Sequence, residues 1–216
     1  MNCKKVIFGF LVLVFFAGMA VSGGRDYMWR SLTSLEGELL IKGKRLIENG
    51  KMVEAAEVFK EMVRRKPGYI GPYFYLANIY SEVGEYREAA AICVETIRRF
   101  PLEMRRMAAP GFKNGVYSQI YYILGIANFK LNRFEESVKA FQKIVESYNY
   151  KAPHSYWLKL NTANPLTADA FYASVHYNLG SAYLLLGNKG AALVQYKMLK
   201  ELDREMGEKL YHLINR

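Results

Sequence analysis

The sequence predicts an all-α fold made of repeated helix pairs, closed by one further helix at the C-terminus. Three observations carry this reading. Small residues recur four times along the body of the chain, 34, 48 and 55 residues apart. A glycine or asparagine recurs seven residues after each of them. Acids then open three of the segments that follow, and arginines close two of them. The composition agrees: 216 residues, 51% hydrophobic and 23% charged, is ordinary for a globular chain and excludes a disordered or collagen-like one. Two cysteines, Cys3 and Cys93, exclude a disulfide framework or a thiolate metal site.

The first element is a targeting segment. Lys4 and Lys5 precede an uninterrupted apolar run at residues 6–21, and small residues follow it through Gly24. That is the layout of a secretory signal, with cleavage after Ala20 or Ser22. An uncleaved anchor is the competing reading. Sixteen helical residues span about 24 Å, short of a hydrocarbon core of about 30 Å. In both cases the two lysines stay inside and the body is exported, to the periplasm or the outer side of the inner membrane. Residues 1–22 are therefore assigned as signal peptide or signal anchor and 23–35 as linker. Cys3 precedes the apolar run and cannot become a lipidated mature terminus. Formal charge is +10 for the whole chain and +8 without residues 1–22. Such a body suits acidic partners or surfaces, although solvated helix faces are the simpler account.

The body comes next, and internal repetition organises it. Gly43, Ala77, Gly125 and Gly180 occupy equivalent places, followed by Gly50, Gly84, Asn132 and Gly187, then Ala55, Ala89, Ser137 and Ala192, then Phe59, Cys93, Phe141 and Tyr196. Glycine in a helix interior costs about 1 kcal/mol relative to alanine, so its recurrence there implies close approach of a second helix. Gly50, Gly84, Asn132 and Gly187 suit a left-handed residue ending the first helix of each pair. Glu54, Glu88 and Glu136 fall in the first turn of the second helix, and Arg64, Arg65, Arg98 and Arg99 in its last turn, as the helix dipole favours. Pro67 and Pro101 follow at matching places, where they forbid continuation.

This pattern resembles the tetratricopeptide repeat family. The resemblance covers residues of about 36–69, 70–103, 118–150 and 173–206. It is strong in Leu76-Ala77-x-x-Tyr80-x-x-x-Gly84-x-Tyr86-x-x-Ala89 and in Leu124-Gly125-x-x-Asn128-x-x-x-Asn132-x-Phe134-x-x-Ser137-x-x-x-Phe141. The first unit departs from the pattern at Lys42, where leucine is usual, and the second at Cys93, where phenylalanine is. The resemblance implies a right-handed superhelical solenoid of antiparallel helix pairs with a concave groove. One unit alone cannot bury its apolar face, so stacking supplies the core.

Two inserts interrupt the repeats, at about 102–117 and 149–172. The first crowds Arg105, Arg106 and Lys113 beside Arg98 and Arg99, and reads as a helix end with a solvated loop. The second holds His154, Tyr156 and Trp157, with Thr167 expected to cap a lengthened first helix of unit four. The closing helix, at about 203–216, places Leu202, Met206, Leu210 and Leu213 at helical spacing, a face that would cover the last repeat.

No catalytic constellation is present in the sequence. The three histidines, His154, His176 and His212, lack the i, i+4 spacing of a zinc site. There is no phosphate-binding loop and no Gly-x-Ser-x-Gly nucleophile elbow. Cys93 sits at a helix-packing position, where a buried inert thiol is expected. The expectation is a non-enzyme without cofactor or metal. No nucleic-acid recognition module appears either.

The resemblance places first helices along the inner face. Leu40, Lys44 and Ile47, then Phe74, Asn78 and Ser81, Tyr122, Ile126 and Phe129, and Tyr177, Ser181 and Leu184 would line it, by the i, i+4, i+7 rule. The partner-binding set is Lys44, Phe74, Asn78, Tyr122, Ile126, Phe129, Tyr177 and Ser181. Such a surface suits an extended peptide or helix of another protein, with aromatic anchors. Some family members clamp a C-terminal carboxylate with cations on successive first helices. Here Gln119 and Ile123 stand where cations are needed, so hydrophobic anchoring is the expectation. The function expected is an interaction scaffold of the cell envelope. The alternative is a membrane-tethered structural subunit of an envelope assembly or secretion complex, joined through convex or terminal surfaces. Membrane contact would run through residues 6–21. The sequence leaves the oligomeric state open.

Overall fold

A computed structural model describes residues 34–107, 116–147 and 165–216, and among these every regular element is a helix. The helices are α1 (Ser34–Glu48), α2 (Met52–Arg65), α3 (Ile70–Val83), α4 (Tyr86–Arg99), α5 (Pro101–Met107), α6 (Val116–Lys130), α7 (Phe134–Ser147), α8 (Pro165–Leu185), α9 (Lys189–Leu202) and α10 (Arg204–Ile214). The apolar run at 6–21, and His154 and Trp157, lie outside the described residues. No described helix is long and apolar enough to cross a membrane.

The helices pair as α1–α2, α3–α4, α6–α7 and α8–α9, with each second helix also against the next unit's first helix. Short connections force the partners antiparallel. Gly50, Gly84 and Gly187 turn at φ of 72°, 85° and 73°, and Asn132 does so at 58°, so all four adopt the left-handed conformation that ends a helix. Asparagine is among the few side chains that tolerate it.

The recurring small residues lie where two helices meet. A Cβ placed on Gly43 would come within 2.6 Å of the Phe59 ring, and one on Gly125 within 2.6 Å of Phe141. Ser137 replaces the usual alanine and donates its hydroxyl to the Gly125 carbonyl oxygen at 2.8 Å, so its buried Oγ is satisfied. Four apolar clusters follow in sequence order, one per junction. Ala55, Phe59 and Met62 meet Tyr75, Leu76 and Ile79 between units one and two. Phe74 and Cys93 meet Val116 and Ile120 between two and three. Ile126, Phe141 and Ile144 meet Val175 and Leu179 between three and four. Ala192 and Leu199 meet Leu210 and Ile214 under the closing helix.

Three local expectations are corrected. Pro101 does not end the helical path: it opens α5 directly after Phe100, at the first helical position, where the missing N–H is no loss. Pro165 likewise opens α8, so Thr167 lies inside the first turn and is not the cap. In α10, Leu213 is 38% exposed and Ile214 is buried with Gly207 and Leu210. The seam therefore runs 207, 210, 214 and not through Leu213. Asp203 fixes that register by accepting from the Met206 N–H at 3.0 Å.

The glycine packing is testable by substitution. Gly125→Ala should destabilise the chain by about 1–3 kcal/mol, because Phe141 is fully buried and cannot withdraw freely. Gly37→Ala, where a Cβ meets nothing within 4 Å, should instead stabilise by up to about 1 kcal/mol. Thermal melts followed by circular dichroism read both; equal effects would contradict the packing.

Candidate partner-binding surface

The first helices α1, α3, α6 and α8 supply the inner-face positions, and the structure divides the eight candidate residues into three groups. Phe74 and Ile126 are 1% and 5% exposed and belong to the core. They are corrected as anchors: Phe74 is held in the junction with α6, and Ile126 in the junction with α8. Neighbouring first helices converge enough to seal these two side chains.

Tyr122 is half-sealed in a different way. Its ring lies 5.8 Å from Phe141 and 5.3 Å from Phe171, and Asn178 Nδ2 lies 3.5 Å from its hydroxyl. Burial pushes its pKa up to about 12, partly opposed by Asn178 and Ser174. Tyr122 therefore ties unit three to unit four. Sequence reasoning did not assign Phe171 and Asn178, which perform this closure. Their signal was present: Phe171, Ser174 and Asn178 fall on one face of the lengthened helix α8. Gln142 adds a second tie across the same junction, its Nε2 donating to the Tyr183 hydroxyl at 2.8 Å.

Lys44, Asn78, Phe129, Tyr177 and Ser181 remain partly or fully accessible. Lys44 is exposed, on α1. Asn78 Nδ2 donates to the Phe74 carbonyl at 2.8 Å, and Ser181 Oγ to the Tyr177 carbonyl at 2.8 Å. Both thereby take a fixed rotamer; the carboxamide oxygen of Asn78 remains an acceptor beyond that bond. Phe129 packs edge-on to Phe134 at 5.6 Å, which holds the ring in place at the end of α6. The surface thus combines Phe129, Tyr177 packed against the cluster under the closing helix, one cation and two hydrogen-bonding groups, spread over four units.

Family profiles of the tetratricopeptide repeat match residues 46–109, 118–149 and 173–205, together more than half of the chain. Fold and motif define a helical-repeat interaction scaffold. The chain belongs to the tetratricopeptide repeat family, whose members are typically non-enzymatic protein-binding scaffolds. Among solved structures it is similar to a crystal structure of MamA, at 17% identity over 80% of this chain and 91% of that one, with a TM-score of 0.54. It also resembles TTC0263, a thermophilic TPR protein of Thermus thermophilus, at 18% identity over 84% of this chain and 100% of that one, TM-score 0.39. MamA 41-end from Desulfovibrio magneticus RS-1 matches at 17% identity over 81% and 98%, TM-score 0.36. At such identities the first likeness bears on fold alone. No curated protein matches the chain in sequence.

Two titratable groups raised by the sequence are packing residues. Cys93 is fully buried and its thiol is pushed up by burial, which suppresses the reactive thiolate. In a Cys3→Ser background, Cys93 should label with a thiol reagent only after denaturation; fast labelling of the native chain would contradict this. His176 is 2% exposed, and its Nδ1 lies 2.7 Å from Gln195 Oε1 on α9. A carboxamide oxygen only accepts, so Nδ1 carries the proton. Burial lowers the His176 pKa, with the Gln195 bond opposing. The folded state thus favours the neutral ring. Its contribution to stability is complete above the unfolded value of about 6.5 and is lost as pH falls through the lower folded value. The melting temperature should fall between about pH 7 and pH 5, and less steeply in His176→Gln. Parallel curves for the two proteins would rule this out.

Proposed function

We propose that this protein is an exported scaffold of the cell envelope that holds an extended or helical segment of a partner protein along its inner face. The observation that carries the reading is the set left accessible there: Phe129 and Tyr177 as anchors, with Lys44, Asn78 and Ser181 as polar contacts. Fixed aromatic rings with few polar neighbours suit recognition of apolar side chains on a peptide, since they lose little freedom on binding. The envelope location is supported by Lys4 and Lys5 ahead of the apolar run at 6–21.

Crosslinking in the native host tests this. A photoreactive residue at 129 or 177 should join the scaffold to a common partner, and one at the exposed Val94 should not. Phe129→Ala should weaken that complex about tenfold or more. Adducts from position 94 alone would move the binding surface off the inner face. Tyr122→Ala is unsuitable for this purpose, because it would also open the junction between units three and four.

A further inference from the structure

Among the described residues the two ends of the repeat stack are finished differently. At the C-terminal end α10 lies over the last unit, and Leu210 and Ile214 are buried. At the N-terminal end, no described helix precedes α1. The repeat offset of 34 shows what should have been covered there. Tyr69, Tyr75, Leu76 and Ile79 of unit two are 5%, 5%, 3% and 2% exposed against the preceding unit. Their counterparts in unit one are Leu35, Ile41, Lys42 and Arg45. Charged residues at two of these places suit the polar outer face of a terminal repeat. They do not account for Leu35 and Ile41, which are 46% and 53% exposed.

At 100° per residue, Leu35, Glu38, Ile41, Lys42, Arg45 and Glu48 form one continuous face of α1, and all six are exposed. None of Glu38, Lys42 and Arg45 forms an ion pair among the described residues. Their order along the helix is symmetric about the midpoint between residues 41 and 42. Glu38 lies as far before that point as Arg45 lies after it. A second α1 laid antiparallel across the first, related by a two-fold axis through that midpoint, would set each Glu38 against the other copy's Arg45. The two Ile41 side chains would meet on one side of the axis and the two Lys42 on the other, where each ammonium is also within one helical turn of the other copy's Glu38 and is offset by it.

We propose that this face of α1 is a self-complementary interface, and that the protein forms a two-fold symmetric dimer through it. A surface that matches itself is what a closed dimer requires. A helix of 15 residues presents about 22 Å of contact length. One helix on one helix lies at the low end of interface sizes, so the dimer is weak and concentration-dependent. A shared membrane would raise the effective concentration of the two copies. The proposal deepens the structural-subunit alternative and is independent of what the inner face binds.

Sedimentation of the full chain in mild detergent, over about a hundredfold range of concentration, tests it. The expected result is a reversible monomer–dimer equilibrium. Arg45→Glu should weaken it about tenfold or more, because each Glu38 then faces a like charge. Glu38→Arg combined with Arg45→Glu should restore it. Both positions are exposed, and circular dichroism checks that each variant stays helical. In a Cys3→Ser background, oxidised Ile41→Cys should yield a disulfide-linked dimer and Val94→Cys should not. A monomer at every concentration, a dimer indifferent to Arg45→Glu, or failure of the double variant to restore it would overturn the proposal. Association through residues 6–21 would show itself as such indifference. Growth beyond the dimer would mean end-to-end stacking. Protection of Ile41→Cys from a thiol reagent only on phosphatidylglycerol vesicles would assign the face to lipid. Either result would also overturn it.

Discussion

The fold depends on helix pairs closing at positions that have almost no side chain. Gly43 and Gly125 each lie under a fully buried ring, Phe59 and Phe141. Those rings do more than fill a pair. Phe59 stacks on Tyr75 of the next unit at 4.5 Å with planes 8° apart, and Phe141, edge-on to Tyr122 of its own unit at 5.8 Å, shares a cluster with Val175 and Leu179 of the next. One missing Cβ therefore lets a single aromatic ring serve both the pair and its junction. Ring contacts of this kind add to the burial itself. The second unit reaches the same density by the opposite exchange. Ala77 stands where the others have glycine, and Cys93 where they have the ring. A larger residue on one helix is matched by a smaller one on the other, and both are fully buried, as close packing demands.

The fourth unit completes the argument. Gly180 has no ring above it; a Cβ there would meet Leu210 of the closing helix at 2.5 Å and Gln195 at 3.2 Å. Tyr196, at the ring position, stays half-exposed and packs on Tyr211 of that helix at 5.0 Å. The closing helix thus takes the space that a following repeat would take elsewhere. Stability in such a stack is nearly a sum of units and neighbouring junctions. Each junction must then bury its own cluster, and the end units need a cover or a polar face.

Most of this architecture was legible in the sequence because steric requirements leave a narrow choice of residue. Only glycine or asparagine sits easily in the left-handed turns, and only small residues admit the crossing helices. Gly50, Gly84, Asn132 and Gly187 were therefore readable one by one. Lys42 looked like a defect in unit one and is explained by position: its counterpart Leu76 is covered by a preceding unit, and Lys42 is exposed. Proline was less informative. Pro67 follows a helix, whereas Pro101 and Pro165 open one, and the same fixed φ serves both. Exposure along the first helices was not legible. Periodicity says that Phe74, Tyr122 and Phe129 share a side. It does not say how closely the next unit's first helix approaches, which decides that Phe74 is core and Phe129 is surface.

At one junction that distance follows from an insert. Between units three and four, α8 begins eight residues before the fourth repeat's own start at 173, and the added turns carry Phe171 onto Tyr122. Asn178 and Gln142 then bond across the junction to Tyr122 and Tyr183. A longer first helix makes this junction deeper than a bare repeat would. Part of the inner surface is thereby converted into core. On α6 and α8 the positions that stay accessible beyond this junction include Phe129 and Ser181, near the ends of the two helices. An insert that looks like an interruption of the repeat thus decides which side chains of these first helices are core and which stay accessible.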